Sequence, residues 1–159
     1  MSNMFSFALI AFLLIVPTQK SFGQSLSNHV KEKIEQRVDS IFHRMIKIAE
    51  NLDYEQLSQG VDDKHKLGFI INGVYYSQFD SLINDLRAKS ERAIKQSITI
   101  LNEKITALSQ NIVLITTNGI SNVEINDGNH NASKFFWTFV YEKDGHDWKV
   151  IQSHQSNIR

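Results

Sequence analysis

The stretch DGHDWKVIQSHQS, residues 144–156, gathers the side chains with the most chemical potential, ending with His154 among Gln152, Ser153, Gln155 and Ser156. An imidazole that titrates near neutrality can act as a general base, provided a carboxylate or nucleophile beside it sets its tautomer and pKa. A second group, Asp62, Asp63 and His65, could seed a metal site, since carboxylate and imidazole are common ligands. Flanked by Lys64 and Lys66 in a turn, the same residues are more often a solvated loop. Tyr54, Tyr75 and Tyr76 could place phenol groups at a pocket mouth, where an apolar ring with a polar tip suits a ligand; core or rim packing accounts for them equally well. The six histidines show no HExxH pattern or paired spacing, so no metal and no cofactor is expected.

Cysteine is absent from the 159 residues, which excludes a disulfide scaffold, thiol catalysis and a lipid anchor on cysteine. Residues 5–16 form an apolar run ended by Pro17, and Ser21-Phe22-Gly23 offers small residues at the positions a signal peptidase reads. Residues 1–23 therefore read as a signal peptide cleaved after Gly23, and residues 24–159 as one exported domain, periplasmic or secreted. About a dozen apolar residues are too few to span a bilayer core that needs roughly twenty. No membrane anchor is expected after cleavage. Loss of Lys20 with that segment leaves a net charge of −1 with histidines neutral, which offers nucleic acid no electrostatic footprint.

The elements that must position these groups follow from periodicity. Val30, Ile34, Val38, Ile41, Met45, Ile48 and Leu52 recur at three- and four-residue intervals along a long amphipathic helix, with Ser27 or Asn28 able to cap it. Asp53 and Gln56 mark the start of a short second helix that Gly60 stops. Residues 67–71 and 74–76, joined by Asn72-Gly73, form a tight hairpin. Ser77 and Asp80 then make a capping-box pattern for a third helix carrying Phe79, Leu82, Ile83 and Leu86. From Ile94 onward β-branched and aromatic residues predict four long strands, broken at Asn118-Gly119, Asp127-Gly128 and Asp144-Gly145. Helices followed by a β meander predict an α+β domain with helices on one face of an antiparallel sheet.

A two-residue turn at Asp144-Gly145 pairs Tyr141 with Trp148, Phe139 with Val150, Trp137 with Gln152 and Phe135 with His154 on one face. The opposite face then carries Thr138 with Ile151, Phe136 with Ser153 and Lys134 with Gln155. Both faces are substantially apolar, so both should be covered, one by helices and one by a second copy of the chain. A one-residue bulge would shift this register and exchange the faces.

The long helix, NLDYEQL at its corner, FIINGVYYSQFDSL and FFWTFVYEKDGHDWKVIQSHQS together resemble the nuclear transport factor 2-like superfamily in its SnoaL-like branch, over roughly residues 27–156. The resemblance implies a cone-shaped curved antiparallel sheet wrapped around three helices, with a pocket inside and an outer face that commonly dimerises. Members of the superfamily include isomerases, dehydratases and cyclases, as well as ligand-binding and assembly modules. The acid/base positions of the ketosteroid-isomerase branch fall near Met45, Ile70 and Phe136, all apolar, which argues against enolisation chemistry here. Comparison with the kinase-association branch implies that the face carrying Thr138, Ile151, Ser153 and Gln155 lines the pocket; Phe136 on the same face and Phe69 from the first strand are expected to join them. It also sets Phe135, Trp137, Phe139, Trp148, Gln152 and His154 on the dimer face. The expected function is binding of a small apolar or amphipathic ligand. The alternatives are an isomerase, dehydratase or cyclase using Asp62, His65 or Tyr54 at the pocket mouth, and a non-catalytic interaction module.

Overall fold

The computed structural model describes residues 26–158; the expected signal peptide lies outside the described residues. Helix α1 spans Asn28–Glu50, with the Ser27 hydroxyl accepting from the Val30 N–H as its cap. Its core-facing stripe centres on Val38, Phe42 and Ile46, flanked by Ile34, Ile41 and Met45, a slight rotation from the stripe read in the sequence. Helix α2, Tyr54–Gln59, is capped by the Asp53 carboxylate, which accepts from the Gln56 N–H at 2.9 Å, and ends at Gly60. The hairpin β1 (Phe69–Ile71) and β2 (Val74–Tyr76) turns on Asn72 and Gly73, both at positive φ. Paired positive φ values are what the tight hairpin turn requires.

Helix α3, Phe79–Lys89, departs from the capping-box expectation. Its N-cap is Gln78, whose side chain makes no capping bond. The Phe79 N–H is satisfied instead by the Asp63 carboxylate at 3.1 Å, sixteen residues upstream. A residue distant in sequence but folded against the helix end thus replaces the local cap, satisfying one of the helix's orphan donors.

Four long strands follow: β3 (Ala93–Ala107), β4 (Ile112–Ile125), β5 (His130–Asp144) and β6 (Asp147–Ile158). The six strands form one curved, unclosed sheet in the order β2-β1-β6-β5-β4-β3, antiparallel except where β1 runs parallel to β6. The helices cover its inner face, where Phe135, Phe139, Tyr141, Ile115 and Val113 meet Val38 and Phe42. The α+β class and wrapped-sheet architecture expected from the sequence are present.

Asn118-Gly119 is not a turn. It lies inside β4, and the chain reverses between β3 and β4 at residues 108–111, where the Ser109 hydroxyl accepts from the Asn111 and Ile112 N–H groups. Gly119 is needed for space: a Cβ there would sit 2.0 Å from the Thr99 carbonyl oxygen and 2.6 Å from Phe135 Cζ. The Phe135 ring, fully buried, occupies the room that the missing side chain leaves.

β3 is an edge of the sheet, and its outward N–H groups need partners. Helix α1 supplies two: Glu50 Oε1 accepts from the Ile98 N–H at 2.8 Å, and Glu35 Oε1 from the Ala107 N–H at 2.9 Å. Burial pushes the Glu50 carboxyl up, but the Lys47 hydrogen bond at 2.7 Å, the Ile98 N–H and the Lys47 charge outweigh it and bring it below its ordinary value.

Two predictions follow from this packing. Gly119→Ala should lower stability by about 3 kcal/mol, the upper range for overpacking, because backbone stands on one side of the new methyl and a buried ring on the other. A denaturant midpoint within error of wild type would refute it. Glu50→Ala should cost about 1–3 kcal/mol at neutral pH by stripping a partly buried N–H of its acceptor. Since the folded carboxyl lies below its unfolded value, the Glu50 contribution is present above the carboxylate range and lost as pH falls through it. The gap between variant and wild-type melting curves should narrow in acid; a gap of constant size from neutral to acid pH is inconsistent with the charge linkage.

Candidate functional site

Between the helices and the inner face of the sheet lies a cavity of about 530 Å³. That volume is within the range of small-molecule sites. Met45, Ile46 and Ala49 of α1, Leu82, Ile83 and Leu86 of α3, and Phe139 and Val150 of the sheet form its apolar wall. Polar groups are interspersed among them: Gln96 on β3, Ser121 on β4, and Ser153 and Gln155 on β6. The Gln155 amide donates to the Ser153 hydroxyl at 3.2 Å.

The geometry of β6 decides which residues reach this cavity. Asp144 pairs with Asp147 around Gly145-His146, one residue beyond the expected turn, and Tyr141 pairs with Val150. Val140 then pairs with Gln152, which leaves Ile151 as the extra residue of a bulge. Beyond it Phe139 faces Ser153, Thr138 faces His154 and Trp137 faces Gln155.

Ser153 and Gln155 accordingly stand on the cavity wall as the sequence suggested. Phe136 and Thr138 do not. They sit on the outer face, with Phe136 half exposed, because the inner face of β5 is the one carrying Phe135, Trp137, Phe139 and Tyr141. Those aromatics, with Trp148 on β6, are buried and are not on an outer interface, since the helices need the larger apolar surface beneath them. Ile151 is buried at the bulge but off the cavity wall, and Phe69 is buried edge-on to Phe79 at 5.2 Å, also off the wall. Gln152 is on the outer face as expected, as is the exposed His154, which borders an outer trough with Phe136, Thr138 and Lys104.

The alternative catalytic set is dispersed. His65 Nε2 lies 2.8 Å from Glu142 Oε2, and Lys64 bridges Asp62 at 2.9 Å and Glu142 at 3.2 Å, all away from the cavity wall. The His65 and Lys64 hydrogen bonds hold the Glu142 carboxyl below its ordinary value. Tyr54 does line the cavity, yet its hydroxyl is engaged with the Ser90 hydroxyl. Ser90 gives its own proton to the Leu86 carbonyl at 2.7 Å, so Tyr54 is the donor in that pair and has no proton left for a substrate. Of Tyr75 and Tyr76, neither lines the cavity; the Tyr76 hydroxyl donates to Asp85, which also binds Lys89 at 2.6 Å. Of the three isomerase-like positions only Met45 reaches the wall. Among the described residues, the cavity is lined by no aspartate, glutamate or histidine.

A family model described as a SnoaL-like domain matches residues 38–159. No curated protein matches the chain. Among solved structures, a candidate dehydratase of the nuclear transport factor 2-like family from Streptomyces avermitilis aligns over 80% of this chain and 98% of its own, with TM-score 0.70 at 13% identity. A nuclear transport factor 2-like superfamily protein from Salmonella enterica aligns over 82% and 92%, with TM-score 0.66 at 13% identity. A candidate calcium/calmodulin-dependent protein kinase II association domain from Xanthomonas campestris aligns over 76% and 85%, with TM-score 0.66 at 14% identity. At such identities the likeness establishes the fold.

One cluster escaped the sequence reading. His43 Nε2 lies 3.5 Å from Asp39 Oδ1 and 3.4 Å from Glu103 Oε2, between α1 and β3. The Asp39–His43 spacing of four was visible on the helix; its meeting with β3 was not. Burial, then the neighbouring Asp39, push the Glu103 carboxyl above its ordinary 4.5, with His43 opposing. A raised folded pKa means that stability is full below the unfolded value and is lost as pH rises through the folded one. Glu103→Gln should therefore gain on wild type as pH climbs through and above 4.5, and run parallel to it in stronger acid. A melting-temperature difference that is flat from acid to neutral pH would contradict the assignment.

Proposed function

This chain belongs to the SnoaL-like domain family, and we propose that it is an exported binding module whose cavity takes a small apolar or amphipathic molecule. The observation that carries the reading is the 530 Å³ cavity with an apolar wall and, among the described residues, no carboxylate or imidazole on it. Proton abstraction or acid-assisted elimination needs a titratable group within hydrogen-bond reach of the reacting atom. The cations on the wall, Lys89 and Arg92, are committed to Asp85 and Asp127. What remains is apolar surface with scattered hydroxyl and amide groups, which suits recognition better than acid/base work.

Export is supported by residues 1–23, with their apolar run and small residues before Gln24. Among the described residues no helix is long and apolar enough to cross a membrane. Intact mass of the protein recovered from its host should correspond to a chain starting at Gln24; a mass retaining residues 1–23 would count against export by this route.

Pairing of two copies is the second part of the proposal, supported by the outer sheet face, where Phe136 stands 50% exposed beside Thr138 and His154. A second copy packed on that face would cover the ring. Phe136→Asp should convert a dimer to a monomer by light scattering while keeping the circular-dichroism spectrum of the fold, with a melting temperature that no longer depends on protein concentration. A monomeric wild type would end this part of the proposal.

The binding reading is tested with N-phenyl-1-naphthylamine, an uncharged probe that fluoresces in apolar surroundings. It should bind saturably at about one equivalent, and Ala49→Leu, which fills the wall from α1 while keeping a good helix former, should weaken it about tenfold with melting temperature preserved. Absence of saturable binding, or equal binding by the leucine variant, defeats the cavity as the site.

A further inference from the structure

We propose that the molecule bound in the cavity is amphipathic with an uncharged hydroxyl at one end, and that this hydroxyl is held between Ser121 of β4 and Ser133 of β5. This deepens the binding reading above and rests on it.

Alternation along β4 sets Val113, Ile115 and Thr117 on the buried inner face, and Ser121 and Val123 follow them there. Ser121 is 7% exposed and stands on the cavity wall. Its register partners, Ile98 on β3 and Ser133 on β5, line the cavity as well. An apolar side chain would pack beside Ile98 and Val123 without taking a polar group out of water.

The hydroxyls on the wall divide into two sets. Tyr54 and Ser90 bond each other, and Ser153 accepts from Gln155. Ser121 and Ser133 take part in no hydrogen bond among the described residues. The Ser121 oxygen is nevertheless open. Among the described residues the partnerless buried side-chain atoms that are wholly cut off are Glu103 Oε2 and Trp137 Nε1, and the Ser121 oxygen is not one of them. For a residue buried on the inner face of the sheet, that remaining access comes from the cavity.

Cross-strand partners hold their Cβ atoms about 4.5–5.5 Å apart, which leaves room for one oxygen that accepts from one serine and donates to the other. A ligand hydroxyl does both. A carboxylate there would need a cation, and the two on the wall, Lys89 and Arg92, are bound to Asp85 and Asp127. The apolar body of the ligand is left to Ile46, Leu82 and Phe139.

The test compares 2-(1-naphthyl)ethanol with 1-propylnaphthalene, which exchange a hydroxyl for a methyl, and with 1-naphthylacetate, each displacing N-phenyl-1-naphthylamine. Transfer from water alone favours the hydrocarbon. A site that pairs the hydroxyl should bring the alcohol to equal or tighter affinity, because the hydrocarbon leaves both serines unpaired. Ser121→Ala combined with Ser133→Ala should keep hydrocarbon binding and a melting temperature no lower than wild type, and should lower the alcohol-to-hydrocarbon affinity ratio about tenfold. In wild type the carbinol protons should give stronger nuclear Overhauser contacts to the Ile98 and Val123 methyls than the ring protons do. A hydrocarbon preference in wild type, a ratio unchanged by the double substitution, a fall in its melting temperature, tighter binding of the naphthylacetate, or stronger contacts from the ring would each overturn the assignment. Failure of all three naphthalenes to displace the probe would instead remove the cavity-binding reading beneath it.

Discussion

One inserted residue in β6 governs the chemistry of the cavity. Side chains alternate along a strand, so the inner positions Trp148 and Val150 would be followed by Gln152 and His154 in an unbroken ladder. The bulge at Ile151 resets the alternation, sending Ser153 and Gln155 inward and leaving His154 exposed. An imidazole is thereby kept out of the cavity, and a hydroxyl and an amide are placed there. The same reset sets Ser153 beside Phe69, in register with the parallel strand β1. Hairpin, parallel edge and cavity wall all depend on that insertion.

Several carboxylates around this core serve the backbone: Glu35 and Glu50 each accept from one N–H on the free edge of β3, Asp53 caps α2 and Asp63 caps α3. Others meet lysine, arginine or histidine, and Glu50 does both. Exposed pairs of that kind contribute little stability individually, whereas an edge N–H without an acceptor invites pairing with another chain. The helix therefore does more than cover the sheet: its acidic side chains supply acceptors for two N–H groups that the strand order leaves without partners.

Much of this architecture was legible from local patterns. Helix periodicity, the Asn72-Gly73 hairpin and the Asp53 cap rest on interactions within a few residues, and they stand where those patterns put them; four long strands are present too, but the reversal between β3 and β4 falls before Ile112 and not at Asn118-Gly119. The site was legible only in part, because an alternating pattern separates two faces without saying which one is inside. The sorting on β5 was right in membership and reversed in sense; on β6 it was broken by a bulge that no residue type announces, since isoleucine at 151 is an ordinary strand residue. Gly119 misled for a related reason. A glycine vacated for a neighbouring ring looks, in sequence, like a glycine needed for a turn. The Asp63 cap and the meeting of His43 with Glu103 depend on residues brought together only by the tertiary fold.

The parallel contact between β1 and β6 joins Phe69 to Ser153, residues from the early and the final parts of the domain. Local pieces, the helices and the small hairpin, can form while the chain is still being made, but β1 has no long strand to lie against until β6 exists. Contacts between such remote segments carry a loop-closure entropy that is met before any reward arrives, and they slow folding accordingly. The wall bearing Ser153 and Gln155 is thus among the last surfaces to be assembled. A chain still in synthesis would expose the apolar faces of α1 and α3 for the whole interval, so competence to bind and resistance to aggregation arrive together, with the closing strand.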